Sequence, residues 1–146
     1  MKVLFITLYF CFSIQISIAQ NNINKKKDAV IETYGKVYDE VVISGIPRIQ
    51  YIRKGKYGFK NYEELLEFSF NKKNICTQER IVTIKEYLPD YLRVFKRFEK
   101  PGIFEKMSAY NWYSIKDRIF YEIILDNSSN YMNVIFTKAP TAADFK

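Results

Sequence analysis

Histidine is absent from the sequence of 146 residues. Imidazole is the commonest general base and a frequent zinc ligand, so its absence excludes Ser-His-Asp and Cys-His catalytic arrangements and zinc sites that need imidazole. Glycine (5 residues) and proline (4 residues) are scarce, which leaves little room for long flexible linkers. Cysteine occurs only at Cys11 and Cys76. Together these shortages indicate one folded domain that does not use histidine chemistry.

The first 19 residues have the pattern of a secretory signal peptide. Lys2 gives a positive start, residues 3–18 are mostly apolar, and small residues lie at the expected cleavage point around Ala19. A membrane anchor is the alternative, but polar residues interrupt the run, which is shorter than the roughly 20 apolar residues that span a bilayer. We therefore predict cleavage after Ala19, a secreted or periplasmic location, and no integral membrane span in the mature chain.

Cleavage would leave Cys76 as the single cysteine. Without a partner it forms no internal disulfide, so the hydrophobic core must hold the fold together. The twelve Tyr and twelve Phe can supply that core, because each ring buries a large area. Cys76 itself is predicted to be a small core or edge residue, since no imidazole is available to activate it as a nucleophile.

The chain is basic. Its formal net charge of +7 falls to +6 when Lys2 leaves with the signal peptide. Outside the cytoplasm, the abundant anions are membrane head groups, surface polysaccharides and acidic proteins. We therefore expect a protein or an anionic surface component as partner, and no nucleic acid.

Two stretches predict β-hairpins. In residues 65–85, Leu66, Phe68 and Phe70 alternate with polar residues, which places three apolar side chains on one face of a strand. The polar residues 71–74 suit a tight turn, and β-branched residues follow them. A second hairpin is predicted over residues 118–137, with its turn at residues 126–130.

Two other stretches predict helices. Residues 26–34 carry apolar side chains at helical spacing, and Gly35 caps the helix before a looser continuation. Residues 89–100 have apolar side chains on one side and basic side chains on the other, and Pro89 suits the first helical position.

The segments between these elements are less regular. Residues 48–53 predict a strand, which ends in a turn over residues 54–58 because two glycines fall within that turn. Residues 103–114 are expected to be irregular or to form a short strand.

These elements predict an α+β domain over residues 28–138, in which two helices pack on one face of an antiparallel sheet. The order of a helix followed by strands occurs twice, so we interpret the domain as two pseudo-repeated helix-plus-hairpin units. Residues 20–27, which include three consecutive lysines, are expected to be a flexible tail, and so are residues 139–146.

The order helix, glycine, strand and hairpin is carried by residues 30–35, 48–53 and 65–84. In this order the chain resembles the small exported modules of outer-membrane assembly lipoproteins and the β-lactamase-inhibitor proteins, which are built from two such units. The chain lacks the lipobox of the former and the disulfides of the latter. The resemblance implies a protein-binding role rather than a reaction, and it assigns no site residues.

Two clusters could form a binding site. Residues 53–62 combine cations with aromatic rings, a composition suited to anionic glycans, lipids or acidic proteins. The alternative is a charged hairpin tip whose rings fold back on the sheet. Residues 110–113 hold the densest aromatic group, which is either an exposed platform for a partner or a part of the core. The candidate ligand- or partner-binding residues are Lys54, Lys56, Tyr57, Lys60, Tyr62, Tyr110, Trp112 and Tyr113.

No motif indicates catalysis, a cofactor or a metal site. Acidic residues cluster at Glu63, Glu64 and Glu67, and again at Asp117 and Glu122, but neither spacing marks a glycosidase pair. No glycine-rich phosphate loop or calcium loop is present. We therefore predict a small exported, non-enzymatic binding domain for a protein or an anionic envelope component. The alternatives are a hydrolase-type enzyme that uses carboxylates and a structural subunit of an envelope assembly.

Overall fold

The computed structural model describes residues 22–141, which form an α+β domain built on one eight-stranded antiparallel sheet. The predicted signal peptide and the last five residues of the predicted C-terminal tail lie outside the described residues. Within residues 22–141, no helix is both long and apolar enough to cross a bilayer. The helices are α1 (Lys27–Tyr34) and α2 (Leu88–Phe98), with a 3-10 turn (Lys85–Tyr87) before α2. The strands are β1 (Asp39–Ile43), β2 (Ile46–Tyr57), β3 (Lys60–Phe70), β4 (Cys76–Ile84), β5 (Phe104–Ser108), β6 (Asn111–Ser114), β7 (Ile119–Leu125) and β8 (Tyr131–Lys138).

The hairpin predicted over residues 65–85 is confirmed as β3 and β4. Leu66, Phe68 and Phe70 are all buried, as their alternation predicted. In the turn, the side chain of Asn71 accepts hydrogen bonds from the backbone N–H groups of Lys73 and Ile75, which closes the loop between the strands. The second predicted hairpin is confirmed as β7 and β8.

A central strand pair joins the two halves of the sheet, whose strand order is β1-β2-β3-β4-β8-β7-β6-β5. β4 and β8 run antiparallel from the pair Gln78 and Thr137 to the pair Ile84 and Tyr131. No turn connects these two strands, because α2 and three further strands lie between them in the chain. We call this pair the seam.

One face of the sheet carries most of the core, and we call it the core face. Phe68, Glu79, Phe136, Tyr121 and Trp112 are successive cross-strand neighbours on it, and all five are buried.

Each helix contributes rings that contact the core face. Tyr34 of α1 lies with its ring centroid 5.5 Å from that of Tyr51. Phe95 of α2 lies 4.6 Å from Trp112 and 5.9 Å from Tyr121. Aromatic contacts of this kind add to the area that the rings remove from water.

The segment expected to be a flexible N-terminal tail is packed from residue 22 onward. Asn22 and Ile23 are buried. The N–H of Cys76 donates to the carbonyl of Lys25 at 2.8 Å, and the N–H of Asn24 donates to the carbonyl of Cys76 at 2.9 Å. The polar composition of this segment was misleading because backbone hydrogen bonds and the side chain of Asn22, which donates to Tyr34 and Glu79, hold the segment in place. At the other end, the N–H of Ala139 donates to the carbonyl of Arg118 at 2.8 Å, so this first residue of the predicted C-terminal tail is also held.

The looser continuation expected after α1 is a strand instead. Gly35 adopts φ +101° and ends the helix, as predicted, but residues 39–43 then form β1. Ser44 and Gly45 connect β1 to β2 with positive φ values of +53° and +76°, the geometry of a two-residue hairpin turn.

Two further segments differ from the sequence-based expectation. The turn predicted at residues 54–58 lies later, because β2 continues through Tyr57 and only Gly58 and Phe59 form the turn. Residues 103–114 contain two strands, β5 and β6, rather than one short strand or irregular chain.

Candidate binding surface

The hairpin of β2 and β3 extends beyond its neighbours in the sheet. The register of β2 with β1 stops at Gln50, and that of β3 with β4 stops at Leu65. Residues 53–64 therefore pair with one another alone, and we call them the arm. Phe59 at its tip is fully exposed.

Tyrosine rings brace one side of the arm. The Tyr57 and Tyr62 rings lie 5.0 and 5.6 Å from the Tyr87 ring, and the Tyr62 hydroxyl donates to the Tyr87 hydroxyl at 2.9 Å. Burial, followed by this hydrogen bond, raises the pKa of Tyr62 above its ordinary value. Gly55 lies opposite Tyr62, and a Cβ atom there would stand 2.3 Å from Cζ of the Tyr62 ring. The ring thus occupies the space that a side chain at residue 55 would need.

The candidate lysines of the arm do not lie together. Lys54 and Lys56 alternate with Gly55 and Tyr57 along β2, so they lie on the opposite side from the tyrosines, and both are exposed. Lys60 is the cross-strand neighbour of Tyr57, and its Nζ lies 3.4 Å from the Glu86 carboxylate. The predicted mixture of cations and rings is therefore divided between two sides of a strand.

The candidate aromatic group at residues 110–113 is divided in the same way. Trp112 is only 1% exposed, and its indole N–H donates to the Glu99 carboxylate at 3.0 Å, so it is a core residue and not an exposed platform. Tyr110 is half-buried and packs against the core. Tyr113 points to the other face of β6, where its ring lies 4.7 Å from that of Phe120. The reason is the period of two along a strand, which places neighbouring residues on opposite faces.

The other face of the sheet, which we call the outer face, carries a charged cluster that the sequence analysis missed. Glu67 is only 2% exposed. Its carboxylate accepts hydrogen bonds from Arg48 at 2.5 Å and from Gln50 at 2.6 Å, and it lies 3.6 Å from the Arg80 guanidinium. Arg80 also donates to the side chain of Asn133 at 2.8 Å. These contacts link β2, β3, β4 and β8 across the outer face.

A row with four apolar members and one asparagine crosses the outer face beside this cluster. Ile52, Leu65, Val82, Asn133 and Ile124 are successive cross-strand neighbours on five strands. Ile52 is 65% exposed and Ile124 is 43% exposed. The row thus places branched apolar side chains in solvent between charged groups.

The sequence contained enough information to predict one part of this surface, the outer side of β2. Arg48, Gln50 and Ile52 alternate with Ile49 and Tyr51 in the predicted strand, so their common face could have been inferred. The approach of Glu67 and Arg80 depends on cross-strand register, which no local pattern specifies.

The acidic residues that sequence analysis considered for catalysis are separated. Glu64 lies on the core-face side of β3 in an ion pair with Arg53, whereas Glu63 and Glu67 lie on the other side. Asp117 accepts a hydrogen bond from the Ser114 hydroxyl at 2.8 Å. Among residues 22–141, no group of three His, Cys, Asp or Glu side chains is placed to hold a metal ion.

Two buried groups have raised pKa values, Cys76 and Glu79. Burial raises the pKa of Cys76 to about 12, so its thiol is held in the protonated form. Burial also raises the pKa of Glu79, although two hydrogen bonds from Asn22 to its Oε2, at 2.9 and 3.2 Å, act in the other direction.

No family model, curated protein or solved structure matches this chain.

Proposed function

We propose that this chain is an exported, non-enzymatic domain that binds an acidic protein surface through its outer face and arm. One observation carries the proposal. Ile52, a large apolar side chain that is 65% exposed, shares its strand face with Arg48, Lys54 and Lys56. A partner that covers Ile52 would remove apolar area from water and meet cations on both sides of it.

The architecture supports this choice of surface. The ring contacts of α1 with Tyr51 and of α2 with Trp112 both involve the core face. We infer that both helices pack on that face, so that the outer face remains open. We also interpret the domain as two units, each a helix followed by four strands, which the seam joins. An antiparallel sheet tolerates one uncovered face because its polar side chains alternate outward.

The charged cluster supports a protein partner of acidic character. Arg48 and Arg80 are held by Glu67 on a rigid sheet rather than on a mobile loop. Side chains that are already held in place lose less conformational entropy when a partner binds. Arginines and aromatic rings are also enriched in the centres of protein interfaces. The net charge, which falls from +7 to +6 when Lys2 leaves with the signal peptide, steers acidic partners towards the domain.

A capture experiment with matched variants tests the proposal. The binding variant carries Lys54→Glu and Lys56→Glu in the arm. The control variant carries Lys72→Glu and Lys73→Glu in the turn between β3 and β4, where both lysines are exposed. The two variants have equal net charge, so only the position of the charge differs. Each is immobilised and exposed to an extract of the cell envelope, and the captured proteins are compared by mass spectrometry.

We expect the control variant to recover the same acidic protein as the native chain, and the binding variant to lose it. The captured partner is then purified, and its binding to the native chain is compared with its binding to an Ile52→Glu variant. Loss of binding in the variant would place the contact on the outer face. Equal recovery by both variants would refute the proposal. Adsorption to anionic lipid vesicles without capture of any protein would also refute it, and would indicate a membrane surface as the partner instead.

The role of a structural subunit has one observation in its favour. β1 is an edge strand of the sheet, and Val42 on it is 71% exposed. An exposed edge with an apolar side chain can pair with another chain. Light scattering over a range of concentrations tests this alternative, because a subunit that assembles through β1 must form larger species, and Val42→Lys must reduce them.

A further inference from the structure

A cleft of about 610 Å³ lies against the core face, away from the proposed binding surface. Three parts of the chain form it: the segment before α1, the end of α2 with the start of β5, and β7 with the turn before it. The lining residues are Ile23, Asn24, Phe98, Ile103, Phe104, Ser114, Lys116, Asp117, Ile119 and Tyr121.

The dimensions of the fold explain why a cleft forms here. Strands lie about 4.8 Å apart, so eight of them make a sheet roughly 34 Å wide. Two helices with diameters of about 10–12 Å cannot cover that width. Part of the core face therefore depends on loops and on the segment before α1 for its cover, and Ile119 and Tyr121 of β7 line the cleft in that part.

The wall of the cleft is mixed: six of its ten lining residues are apolar or aromatic, and two of these six are poorly covered. Ile23, Ile119 and Tyr121 are buried, whereas Phe98 is 50% exposed and Ile103 is 42% exposed. The volume lies within the range of roughly 300–1,000 Å³ that is typical of small-molecule sites, and a wall with both apolar and polar parts suits a ligand that has both. A bound hydrocarbon group would cover Phe98 and Ile103.

Lys116 is the one cation among the residues that line the cleft, and Asp117 is the one acid. Residues 96–118 contain six cations and three acidic residues, of which only Lys116 and Asp117 line the cleft. Each of the three acids accepts a hydrogen bond: Glu99 from Trp112, Glu105 from the backbone of Gly102, and Asp117 from Ser114. Lys116 lines the cleft and makes no ion pair with any residue in the range 22–141.

We propose that this cleft binds an apolar anion, such as a medium-chain fatty acid, with the hydrocarbon chain against Phe98 and Ile103 and the carboxylate near Lys116. The proposal adds a small-molecule site to the protein-binding surface proposed above. It uses different residues, so either proposal can fail without the other.

Isothermal titration calorimetry with octanoate, decanoate and dodecanoate, each below its micelle concentration, tests the hydrocarbon part. Each further CH₂ that becomes fully buried tightens binding about fourfold. We therefore expect the dissociation constant to fall along the series by up to that factor per carbon. Equal affinity for all three chain lengths would overturn the proposal, because it would show that the apolar side chains of the cleft do not contact the hydrocarbon chain.

Charge reversal tests the carboxylate part. Lys116→Glu should weaken the binding of dodecanoate about tenfold. It should not weaken the binding of dodecyltrimethylammonium, which has the same hydrocarbon chain and the opposite charge. Lys54→Glu in the arm is the matched control and should leave both affinities unchanged. An equal loss of dodecanoate affinity in the two lysine variants would indicate general attraction to a basic protein and would overturn the assignment of Lys116.

A pair of aromatic variants tests the location. Phe98→Ser removes a half-exposed ring from the cleft, and Phe59→Ser removes the fully exposed ring at the tip of the arm. Circular dichroism confirms that each variant is folded. We expect Phe98→Ser to weaken dodecanoate at least fivefold and Phe59→Ser to have no effect. In ¹H–¹⁵N correlation spectra of the native chain, dodecanoate should shift the amides of Asn24, Ile103 and Lys116. Shifts confined to the outer face, or adsorption to lipid vesicles without binding of free dodecanoate, would refute the proposal.

Discussion

Replacing Gly55 by alanine should loosen the arm by a calculable amount. The new Cβ would stand 2.3 Å from Cζ of Tyr62, well inside the roughly 3.5–4 Å at which carbon atoms attract. The Tyr62 ring must move, which removes its hydrogen bond to Tyr87, worth about 1 kcal/mol, and a ring contact worth about 1 kcal/mol. Alanine also lowers the conformational entropy of the unfolded chain, which stabilises the folded state by about 0.7 kcal/mol. The expected net loss in free energy of unfolding is about 1.3 kcal/mol.

Urea unfolding followed by circular dichroism measures this loss, and a double-mutant cycle identifies its cause. In a Tyr62→Ala background the ring is absent, so Gly55→Ala should become neutral or should stabilise the protein by up to about 1 kcal/mol. The coupling energy between the two positions is then about 2 kcal/mol. If Gly55→Ala costs the same free energy in both backgrounds, the Tyr62 ring does not occupy the space over Gly55, and the reasoning is wrong.

Three further predictions concern buried polar groups. Because burial raises the pKa of Glu79, the folded state binds a proton at this carboxylate more readily than the unfolded state does. The free energy of unfolding should therefore fall as pH rises from about 4.5 through the folded-state pKa of Glu79. Urea titrations over that pH range measure the fall, and Glu79→Gln should remove it. The Cys76 thiol is buried with a pKa of about 12, and it is the only thiol in a chain that begins at Gln20. In that chain it should react with a thiol reagent such as 5,5′-dithiobis(2-nitrobenzoate) only after denaturation, and rapid labelling of the native protein would contradict the structure. Glu67→Ala leaves Arg48 and Arg80 without their carboxylate partner and should lower the free energy of unfolding by about 2 kcal/mol. The loss is smaller than for a fully buried ion pair because Arg80 is partly exposed. An unchanged midpoint of urea unfolding would contradict this prediction.

Local patterns predicted those elements whose faces and ends are encoded in neighbouring residues. The alternation of Leu66, Phe68 and Phe70 specified both a strand and its buried face. The helical spacing over residues 89–100 predicted α2, which begins at Leu88 and ends at Phe98. Each of these signals is contained within about a dozen residues and needs no information from the rest of the chain.

Competing local signals account for the elements that were missed. Val37 and Val41 continue the helical spacing of α1, but Gly35 ends the helix and the turn at Ser44 makes β1 a strand. Local propensity is a weak guide where tertiary pairing decides the outcome. The division of Trp112 and Tyr113 between two faces followed from β6, which had been expected to be irregular or part of one short strand.

The candidate site depended most on information that is not local. Period-two alternation could identify the outer side of β2, but not the meeting of Glu67 with Arg80. That meeting requires the exact cross-strand register, and a shift of one residue would send the same side chains to the core face. Functional surfaces on sheets are therefore harder to predict from sequence than the strands that carry them.

The seam has a consequence for how two molecules of this protein could meet. Gln78 and Thr137 pair although 59 residues separate them, whereas the pairs within each half are closed by nearby turns. If the seam opens while each half stays intact, β4 and β8 both become unpaired edge strands. Each can pair with the other strand of a second molecule in the register of the original seam. Two such molecules can then exchange halves, each seam forming between strands of different chains, with the α2 connection as the hinge of the exchange.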